Sequence, residues 1–330
     1  MTCSNQKNRL NNKLNIVLLC GGVGGSKMAE GLYHSNYSDN LSIIGNVADD
    51  QAFHGLWISP DIDTLTYTLA DVIDTDKGWG LKDETNNTLN SLKTLGCDTW
   101  MYLGDKDFAT HIYRTEQRAL GVRPSDIAST IAKNLGVTAN IVLPTDQVIQ
   151  NIIRTDQGWQ NFQNYFVKNG CQEQILDIDI KGIDQAHATP EALATIANAD
   201  LIIIAPSNPI VSINPILSIA GIKEALCQAS APVVAVSPII GNKTVRGPAD
   251  HMMKASGYSA DVLGVALCYQ GIIDGIVIDS RDNKFITALE SKNLTVMLAD
   301  ILMTDRDSKA NLANNIVQHM IQTFLSAEVC

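Results

Sequence analysis

The chain has 330 residues, a formal net charge of −11 and an isoelectric point near 4.9. An acidic chain of this kind is unsuited to general binding of nucleic acids or anionic membranes, so we expect neither as a partner. Its seven cysteines are scattered without a CxxC pair, which indicates reduced thiols in a cytoplasmic protein and argues against a structural zinc site.

The first thirteen residues are polar and are predicted to form a flexible arm ahead of a single domain at residues 14–330. The apolar run that follows is too short for a signal sequence or a membrane span, and no long apolar segment occurs elsewhere. Short apolar runs alternate with amphipathic stretches along most of the chain. This alternation predicts an α/β fold with a doubly wound, mainly parallel Rossmann-like sheet.

The first predicted strand, Asn15–Cys20, runs directly into the glycine-rich sequence GGVGGSK at residues 21–27. A strand, a glycine turn and an amphipathic helix ending near His34 would direct backbone N–H groups at an anion. Glycines let the backbone approach a ligand with no Cβ in the way, and a lysine adds a positive charge. The residues predicted to bind the anion are Gly22, Gly24, Gly25, Ser26 and Lys27.

Two known phosphate-binding patterns nearly match this stretch but fail. A P-loop needs GxxxxGK[ST], whereas the order here is Gly25, Ser26, Lys27. A dinucleotide fingerprint needs GxGxxG, but Lys27 stands at the third glycine position, and the second predicted strand, Ser42–Ile44, lacks a terminal acid. A tight strand–helix turn without a ligand is the alternative interpretation.

Acidic side chains follow the second predicted strand, at the sheet edge where open α/β folds bind ligands. The first group is in NVADD at residues 46–50, and the second is in SPDIDT, before a helix predicted at residues 64–72. Asp61 or Asp63 could simply cap that helix. Four carboxylates near an anion site exceed what capping needs and indicate Mg²⁺. The predicted ligands are Asp49, Asp50 and Asp63, with Asn46 and Asp61 near the substrate.

A third candidate is GDKDFATHIYRT at residues 104–115, after a strand predicted at Thr99–Leu103. Its lysine could contact an anion, and the aspartates on either side could bind a metal or hydroxyl groups. The histidine and arginine are three residues apart and would share one helix face. A solvated turn is the alternative. The residues predicted to act here are Asp105, Lys106, Asp107, His111 and Arg114.

Residues at about 120–185 interrupt the strand–helix alternation and are interpreted as a smaller, inserted α/β subdomain. Its first helix is predicted to begin with Ser125 as the N-cap and to stop at Gly136. The sequence ILDIDI alternates apolar and acidic residues, which indicates a half-exposed strand. The other predicted elements are strands at Asn140–Leu143, Ile149–Arg154 and Ile175–Ile180 and a helix near Phe162–Val167.

The main sheet resumes with buried strands predicted at Leu201–Ala205 and Val233–Val236, each followed by serine and proline on a rigid turn. Hydroxyls and amides on rigid turns suit purine edges or phosphate oxygens, although ordinary turn chemistry is the alternative. Ser207, Asn208 and Ser237 are therefore predicted to contact a nucleotide. The remaining predicted elements are strands at Gly275–Asp279 and Asn293–Leu298 and a helix at Ser308–Ala327.

These predictions place a glycine-rich turn, carboxylates and polar turns at one edge of the sheet, without a Ser–His–Asp, Cys–His or HExxH spacing. Phosphoryl transfer by positioning, with a metal and no covalent intermediate, fits this set best. Seven motifs also occur in one order: GGVGGSK, NVADD, SPDIDT, GWG, GDKDFATHIYRT, PSNPIVSINPIL and SPIIGNKTVRGPA. Over about Val17–Asp279 they resemble the 2-phospho-L-lactate transferase family of deazaflavin coenzyme F-420 biosynthesis.

The resemblance implies that a guanosine-diphosphate-linked donor passes a 2-phospholactyl or phosphoenolpyruvyl group to the ribityl hydroxyl of the deazaflavin Fo. GMP would leave and Mg²⁺ would assist, while the identity of the acid, lactyl, enolpyruvyl or glyceryl, stays open. The glycine turn would hold the diphosphate. Asp50, Asp63 and Lys106 are the predicted catalytic residues, with Lys106 near Fo or the transferred phosphate. We expect a homodimer, the commonest oligomer.

Two other functions stay open. A non-catalytic nucleotide-sugar-binding regulator of the gluconeogenesis-factor type shares a glycine-rich start and a VADD-like acidic loop, but has a PGS-type turn where this chain has PSNP at residues 206–209. An NAD(P)-dependent oxidoreductase is disfavoured by the missing third glycine and the missing ribose-binding acid.

Overall fold

The computed structural model describes residues 14–245 and 247–325, so the predicted arm at residues 1–13 lies outside the described residues. Its centre is a seven-stranded parallel sheet with the order β14-β13-β10-β9-β1-β2-β5. The strands of this sheet are β1 (Asn15–Cys20), β2 (Asn40–Gly45), β5 (Asn140–Val142), β9 (Leu201–Ile204), β10 (Val233–Val236), β13 (Gly275–Asp279) and β14 (Thr295–Ala299). The predicted mainly parallel sheet is confirmed.

Helices cover both faces of the sheet, because successive strand residues point to opposite faces and both faces are apolar. Leu18 and Leu19, for example, belong to two different buried clusters. The helices are α1 (Gly22–Tyr33), α2 (Pro60–Leu69), α3 (Asn87–Thr94), α4 (Asp105–Ala119), α5 (Pro124–Asn134), α6 (Pro190–Ala197), α7 (Asn214–Ser218), α8 (Ile222–Gln228), α9 (Ala249–Ala255), α10 (Val262–Cys268), α11 (Ile286–Glu290) and α12 (Arg306–Met320). This arrangement confirms the doubly wound α/β fold.

Two helices begin earlier than the sequence predicted. Helix α2 begins at Pro60 with Ser59 as its N-cap, so Asp61 and Asp63 lie inside its first turn, and the alternative interpretation that either residue is the N-cap does not hold. Helix α5 begins at Pro124 after Arg123, and Ser125 is therefore not its N-cap. Both corrections have one cause: the fixed φ of proline suits the first helical position.

Residues Thr99–Leu103 form no strand, so the prediction of a strand before GDKD was wrong. Met101 and Leu103 instead pack with Phe108 in a third, separate buried cluster under an irregular segment. The short apolar run that was predicted to be a strand is thus buried against the start of α4. As a result, GDKD lies at a helix N-terminus and not at the carboxyl end of a sheet strand.

Three antiparallel strands in the order β7-β6-β8 form a small sheet, as the alternation of ILDIDI predicted. They are β6 (Gln150–Thr155), β7 (Gly158–Asn161) and β8 (Asp177–Lys181), and the predicted helix near Phe162–Val167 is a single π-helical turn at Asn164–Lys168. Two short antiparallel pairs are also present: β3 (Gln51–Phe53) with β4 (Leu56–Ile58), and β11 (Ile239–Ile240) with β12 (Lys243–Thr244). Strand β5 lies within the residues predicted as an insertion, but it pairs with β2 in the main sheet. The division into one domain with an inserted subdomain stays a prediction.

Strand β1 pairs with β2 on one side and with β9 on the other. The chain therefore continues first on one side of β1 and later on the other. Such a switch point opens a crevice at the carboxyl ends of the strands, where α/β folds bind ligands.

The final helix α12 begins two residues before its predicted start, because Asp305 and Ser308 form a capping box. In residues 14–245 and 247–325, no helix has the length and apolar character to cross a membrane.

Candidate active site

Helix α1 begins within the glycine-rich sequence, so the predicted anion-binding glycines lie in its first turn and not in an open loop. Gly22 has a φ of +64°, a conformation that glycine adopts without strain. A Cβ on Gly24 would overlap the carbonyl oxygen of Pro206, and a Cβ on Gly25 would lie 2.7 Å from the hydroxyl oxygen of Ser207. These glycines therefore let α1 pack against the turn after β9.

The two polar residues that follow have partners within the protein. Ser26 is buried, and its hydroxyl donates to the carbonyl oxygen of Gly22 at 3.1 Å. Lys27 Nζ donates to the carbonyl oxygen of Met303 at 3.0 Å, in the segment before α12. In this structure the lysine fixes α1 to the C-terminal segment, and its binding of an anion stays a prediction.

Asp61 connects the acidic region to the start of α1. Its Oδ2 accepts from Asn46 Nδ2 at 2.9 Å, and the carboxylate also accepts from the backbone N–H of Gly22. A Cβ on Gly21 would lie 2.7 Å from the same Oδ2 atom, so a larger residue at position 21 would collide with the Asp61 carboxylate. The structure therefore brings the predicted anion turn and two predicted substrate-binding residues into direct contact.

Asp49 and Asp50 are buried beside this contact. Asp49 Oδ1 accepts from Asn151 Nδ2 at 2.8 Å. Asp50 Oδ2 accepts from Ser59 Oγ at 2.7 Å and from Trp57 Nε1 at 3.2 Å. The other carboxylate oxygen of Asp50, Oδ1, is buried and has no hydrogen-bond partner among the described residues. A buried acceptor without a donor is unusual and marks this atom as a ligand-binding candidate.

Burial raises the pKa of the carboxyl groups in this region. It raises the pKa of Asp50 to about 7, although hydrogen bonds from Ser59 and Trp57 and the charge of Arg114 favour the ionised form. Burial likewise raises the pKa of Asp61 to about 6. The pKa of Asp49 lies well above its usual value because of burial and the nearby charge of Asp61. Crowded carboxyl groups of this kind would be stabilised by a cation.

Asp63 is held by Arg114, with which it forms a bidentate buried ion pair. Arg114 also donates to His111 Nδ1 at 3.2 Å, and His111 Nε2 lies 3.4 Å from Asp107 Oδ1. The same Asp107 oxygen accepts from Tyr67 at 2.7 Å. His111, Arg114 and Asp107 are each less than a tenth exposed, so these predicted substrate-binding residues form a buried network that orients Asp63.

Asp105 and Lys106 take part in a different arrangement. Asp105 accepts hydrogen bonds from Thr85, from the backbone and side-chain N–H groups of Asn87 and from the backbone of Thr88. Glu84 in return accepts from the backbone N–H groups of Lys106 and Asp107, at 2.9 and 2.8 Å. Asp105, at the start of α4, thus caps α3, and Glu84, just before α3, caps α4. Lys106 is exposed, and its Nζ donates to the carbonyl oxygen of Lys82 at 3.0 Å.

The polar residues after β9 and β10 are mainly engaged in their own turns. Ser207 Oγ donates to the carbonyl oxygen of Gly21 at 2.8 Å, which places it at the start of α1. Asn208 Oδ1 caps the following π-helical turn by accepting from the backbone N–H of Ile210. Ser237 is fully buried and is bonded in both directions to Ile239. Direct nucleotide contact by these three residues stays a prediction.

Within the part of the chain that the structure describes, buried oxygen atoms without hydrogen-bond donors occur in the acidic region and its neighbour β6. No group of three or more His, Cys, Asp and Glu side chains in residues 14–245 and 247–325 is arranged to hold a metal. Mg²⁺ is commonly held by one or two carboxylates together with substrate phosphates, however. Asp50 Oδ1 and Asn151 Oδ1 are both buried acceptors without a donor among the described residues, and Asp49, which precedes Asp50 in the chain, accepts from Asn151 Nδ2. These oxygens fit Mg²⁺ better than Asp63, whose two oxygens are both occupied by Arg114.

Several residues of the site escaped the sequence analysis. Asn151, from β6 in the small sheet, donates to Asp49 and also to the carbonyl oxygen of Val211 at 2.7 Å. Trp57 and Ser59 hold Asp50, and Tyr67 holds Asp107. Trp57 and Ser59 stand within or beside the SPDIDT motif and could have been suspected from that position. Asn151 gave no signal, because it is 102 residues from Asp49 in the chain.

Comparison with known proteins finds one family of transferases along nearly the whole chain. The family model for 2-phospho-L-lactate transferase CofD matches residues 16–319. A 2-phospho-L-lactate transferase of Methanococcoides burtonii is 35% identical over 302 residues, covering 92% of this chain and 98% of that protein. One of Methanocaldococcus jannaschii is 36% identical, covering 92% and 97%. A phosphoenolpyruvate transferase of Kitasatospora aureofaciens is also 36% identical, covering 91% and 96%.

Solved structures show the same fold at much lower identity. A crystal structure of a UPF0052 family protein from Bacillus halodurans has a TM-score of 0.63 at 16% identity and covers 92% of this chain and 99% of its own. The family resemblance carried by the seven motifs is confirmed by the sequence matches, which extend over most of the chain. The chain therefore belongs to the 2-phospho-L-lactate transferase CofD family, and it is a transferase of this type.

Proposed function

We propose that this transferase moves a 2-phospholactyl or phosphoenolpyruvyl group from a guanosine-diphosphate-linked donor to the ribityl hydroxyl of the deazaflavin Fo. The relatives named 2-phospho-L-lactate transferase and phosphoenolpyruvate transferase support these two acids. The unpartnered Oδ1 of Asp50, buried at the carboxyl edge of the sheet, is the observation that carries the proposal. The charge of Asp50 also acts on Asp49, which in turn is influenced by Asp61, the acid beside the start of α1.

In this reaction the first turn of α1 would receive the diphosphate, since helix N-termini favour anions. The ribityl oxygen attacks the phosphorus that carries the acid, and the bond from that phosphorus to the bridging oxygen breaks. GMP leaves with the electron pair of that bond. The proton of the hydroxyl passes to the Asp50 carboxylate, a step that matters less than orientation in phosphoryl transfer.

Mg²⁺ held by Asp49 and Asp50, with Asn151 as a further oxygen donor, would supply charge neutralisation at the phosphates. Asp63 would be oriented by Arg114, and Lys106 would contact Fo or the transferred phosphate. We place the reaction in the cytoplasm of a deazaflavin-producing cell and expect a homodimer. The five cysteines within the described residues are free, which agrees with a reducing compartment.

Incubation with Mg²⁺, Fo and each candidate donor, followed by mass analysis, tests the proposal. The expected products are the phosphodiester of Fo and free GMP. In the Asp50→Asn variant the turnover rate should fall by a factor of about 100 or more, while the protein keeps its fold. Near-normal turnover of that variant would remove Asp50 from the mechanism. Binding of a UDP-sugar with no transfer from any donor would instead favour the regulator alternative.

A further inference from the structure

The half-buried guanidinium of Arg118 has no protein acceptor among the described residues. It lies on α4 one turn after Arg114, and its central carbon is 4.2 Å from the centre of the Trp57 ring. Within residues 14–245 and 247–325, no group accepts a hydrogen bond from this guanidinium or forms an ion pair with it. The Trp57 ring stabilises the charge, but the five N–H donors are partly removed from water without a hydrogen bond in return, which favours binding of an external acceptor.

Arg118 faces the candidate catalytic residue across a small pocket. The pocket is shallow and opens to solvent, with a cavity volume of about 20 Å³, and Asp50, Trp57, Thr145 and Gln147 line it with Arg118. The Trp57 ring joins the two sides, because its Nε1 donates to Asp50 Oδ2 while the guanidinium stacks on its face. A ligand group in this pocket would therefore lie beside the carboxylate proposed to act at the reacting phosphorus.

The two acidic residues that line the pocket accept no hydrogen bond from Arg118. Asp146 also lines the pocket, but its carboxylate pairs with Arg123 at 2.8 Å and accepts from the backbone and hydroxyl of Ser125. Asp50 accepts from Ser59 and Trp57 instead. The planar fork of an arginine matches a carboxylate with two parallel hydrogen bonds, which makes a carboxylate the ligand group of best fit.

We propose that Arg118 binds the carboxylate of the acid that is transferred, while the phosphorus of that acid reacts beside Asp50. This inference rests on the proposed function, in which the phosphates meet α1 and the acidic region and leave the carboxylate as the remaining anionic group of the donor acid. Arg118 would then make the enzyme select phosphorylated carboxylic acids over phosphorylated alcohols of similar size. Both lactyl and enolpyruvyl donors carry such a carboxylate.

The test compares two donors with each variant: enolpyruvyl guanosine diphosphate, in which two phosphates join the acid to guanosine, and the same molecule with its carboxylate converted to an amide. The wild-type protein should prefer the carboxylate donor by about 10-fold or more in kcat/KM, since hydrogen bonds to charged groups are the strong ones. Arg118→Met should lose this preference through a higher KM for the carboxylate donor alone. Arg118→Lys should restore part of it.

Arg154→Met is the matched control, because Arg154 also stacks on a tryptophan, Trp159, at 5.6 Å but already pairs with Asp177. It should keep the wild-type preference. An active Arg118→Met variant that still prefers the carboxylate donor, or that slows equally with both donors, overturns this inference and leaves the proposed function standing. Failure of the wild-type protein to transfer from any donor overturns the proposed function itself. If the Met variant does not fold, Arg118→Gln takes its place with the same outcomes.

Discussion

Replacing Arg114 by Met tests the buried ion pair that orients Asp63. Both side chains of the pair are less than a tenth exposed, and the contact is bidentate. Removal of one partner of a buried pair leaves an uncompensated charge and costs about 3–5 kcal/mol. With about 2.1 cal/mol/K of unfolding entropy per residue, a chain of 330 residues has roughly 0.7 kcal/mol/K. The expected decrease in Tm is therefore about 4–7 °C.

Differential scanning calorimetry at neutral pH measures this decrease. The double variant Asp63→Asn with Arg114→Met should lose less stability than the two single variants together, because it removes both charges. Arg154→Met is again the control, since its pair with Asp177 is about half exposed and contributes about 1 kcal/mol or less. A Tm for Arg114→Met within about 1 °C of the wild type, or strictly additive losses, would refute the reasoning.

Two further variants test how the site is built. Gly24→Ala should destabilise the protein by about 1–3 kcal/mol in chemical denaturation and weaken donor binding, because the new methyl group would overlap the carbonyl oxygen of Pro206 and push α1 from its turn; unchanged stability and affinity would contradict this. Asn151→Ala should lower Mn²⁺ affinity by about 10–100-fold in an electron paramagnetic resonance titration, whereas Asn161→Ala on the neighbouring strand should not, and equal affinities would disprove the positioning role of Asn151.

The main sheet could be predicted from the sequence because each of its strands is a short apolar run with a turn signal at its end. The same local signals located β1, the glycine-rich start of α1 and the acidic region after β2. The strand predicted before GDKD is absent, because a short apolar run buried against a helix resembles a short buried strand in sequence. Local pattern does not distinguish these two kinds of burial.

The partners of the site residues could not be predicted, because they come from distant parts of the chain. Asp63 depends on Arg114, and Asp49 depends on Asn151, at separations of 51 and 102 residues. Asp105 was predicted to meet substrate because it stands in a charged motif, yet it is bonded to the start of α3. A charged motif shows that a carboxylate is needed at a position, while only the fold shows whether the carboxylate faces a ligand or another helix.

Asp61 imposes a condition on how an acidic protein can bind a diphosphate. Its carboxylate accepts from the Gly22 N–H at the start of α1, which is where an anionic ligand would be bound in the proposed reaction. Phosphate placed there would meet Asp61 and, next to it, Asp49, whose pKa is raised partly by the charge of Asp61. The negative charges of the phosphate and of these carboxylates repel one another unless a cation lies between them. In the proposed mechanism the divalent cation and the donor would therefore bind cooperatively, since each relieves a repulsion that opposes the other.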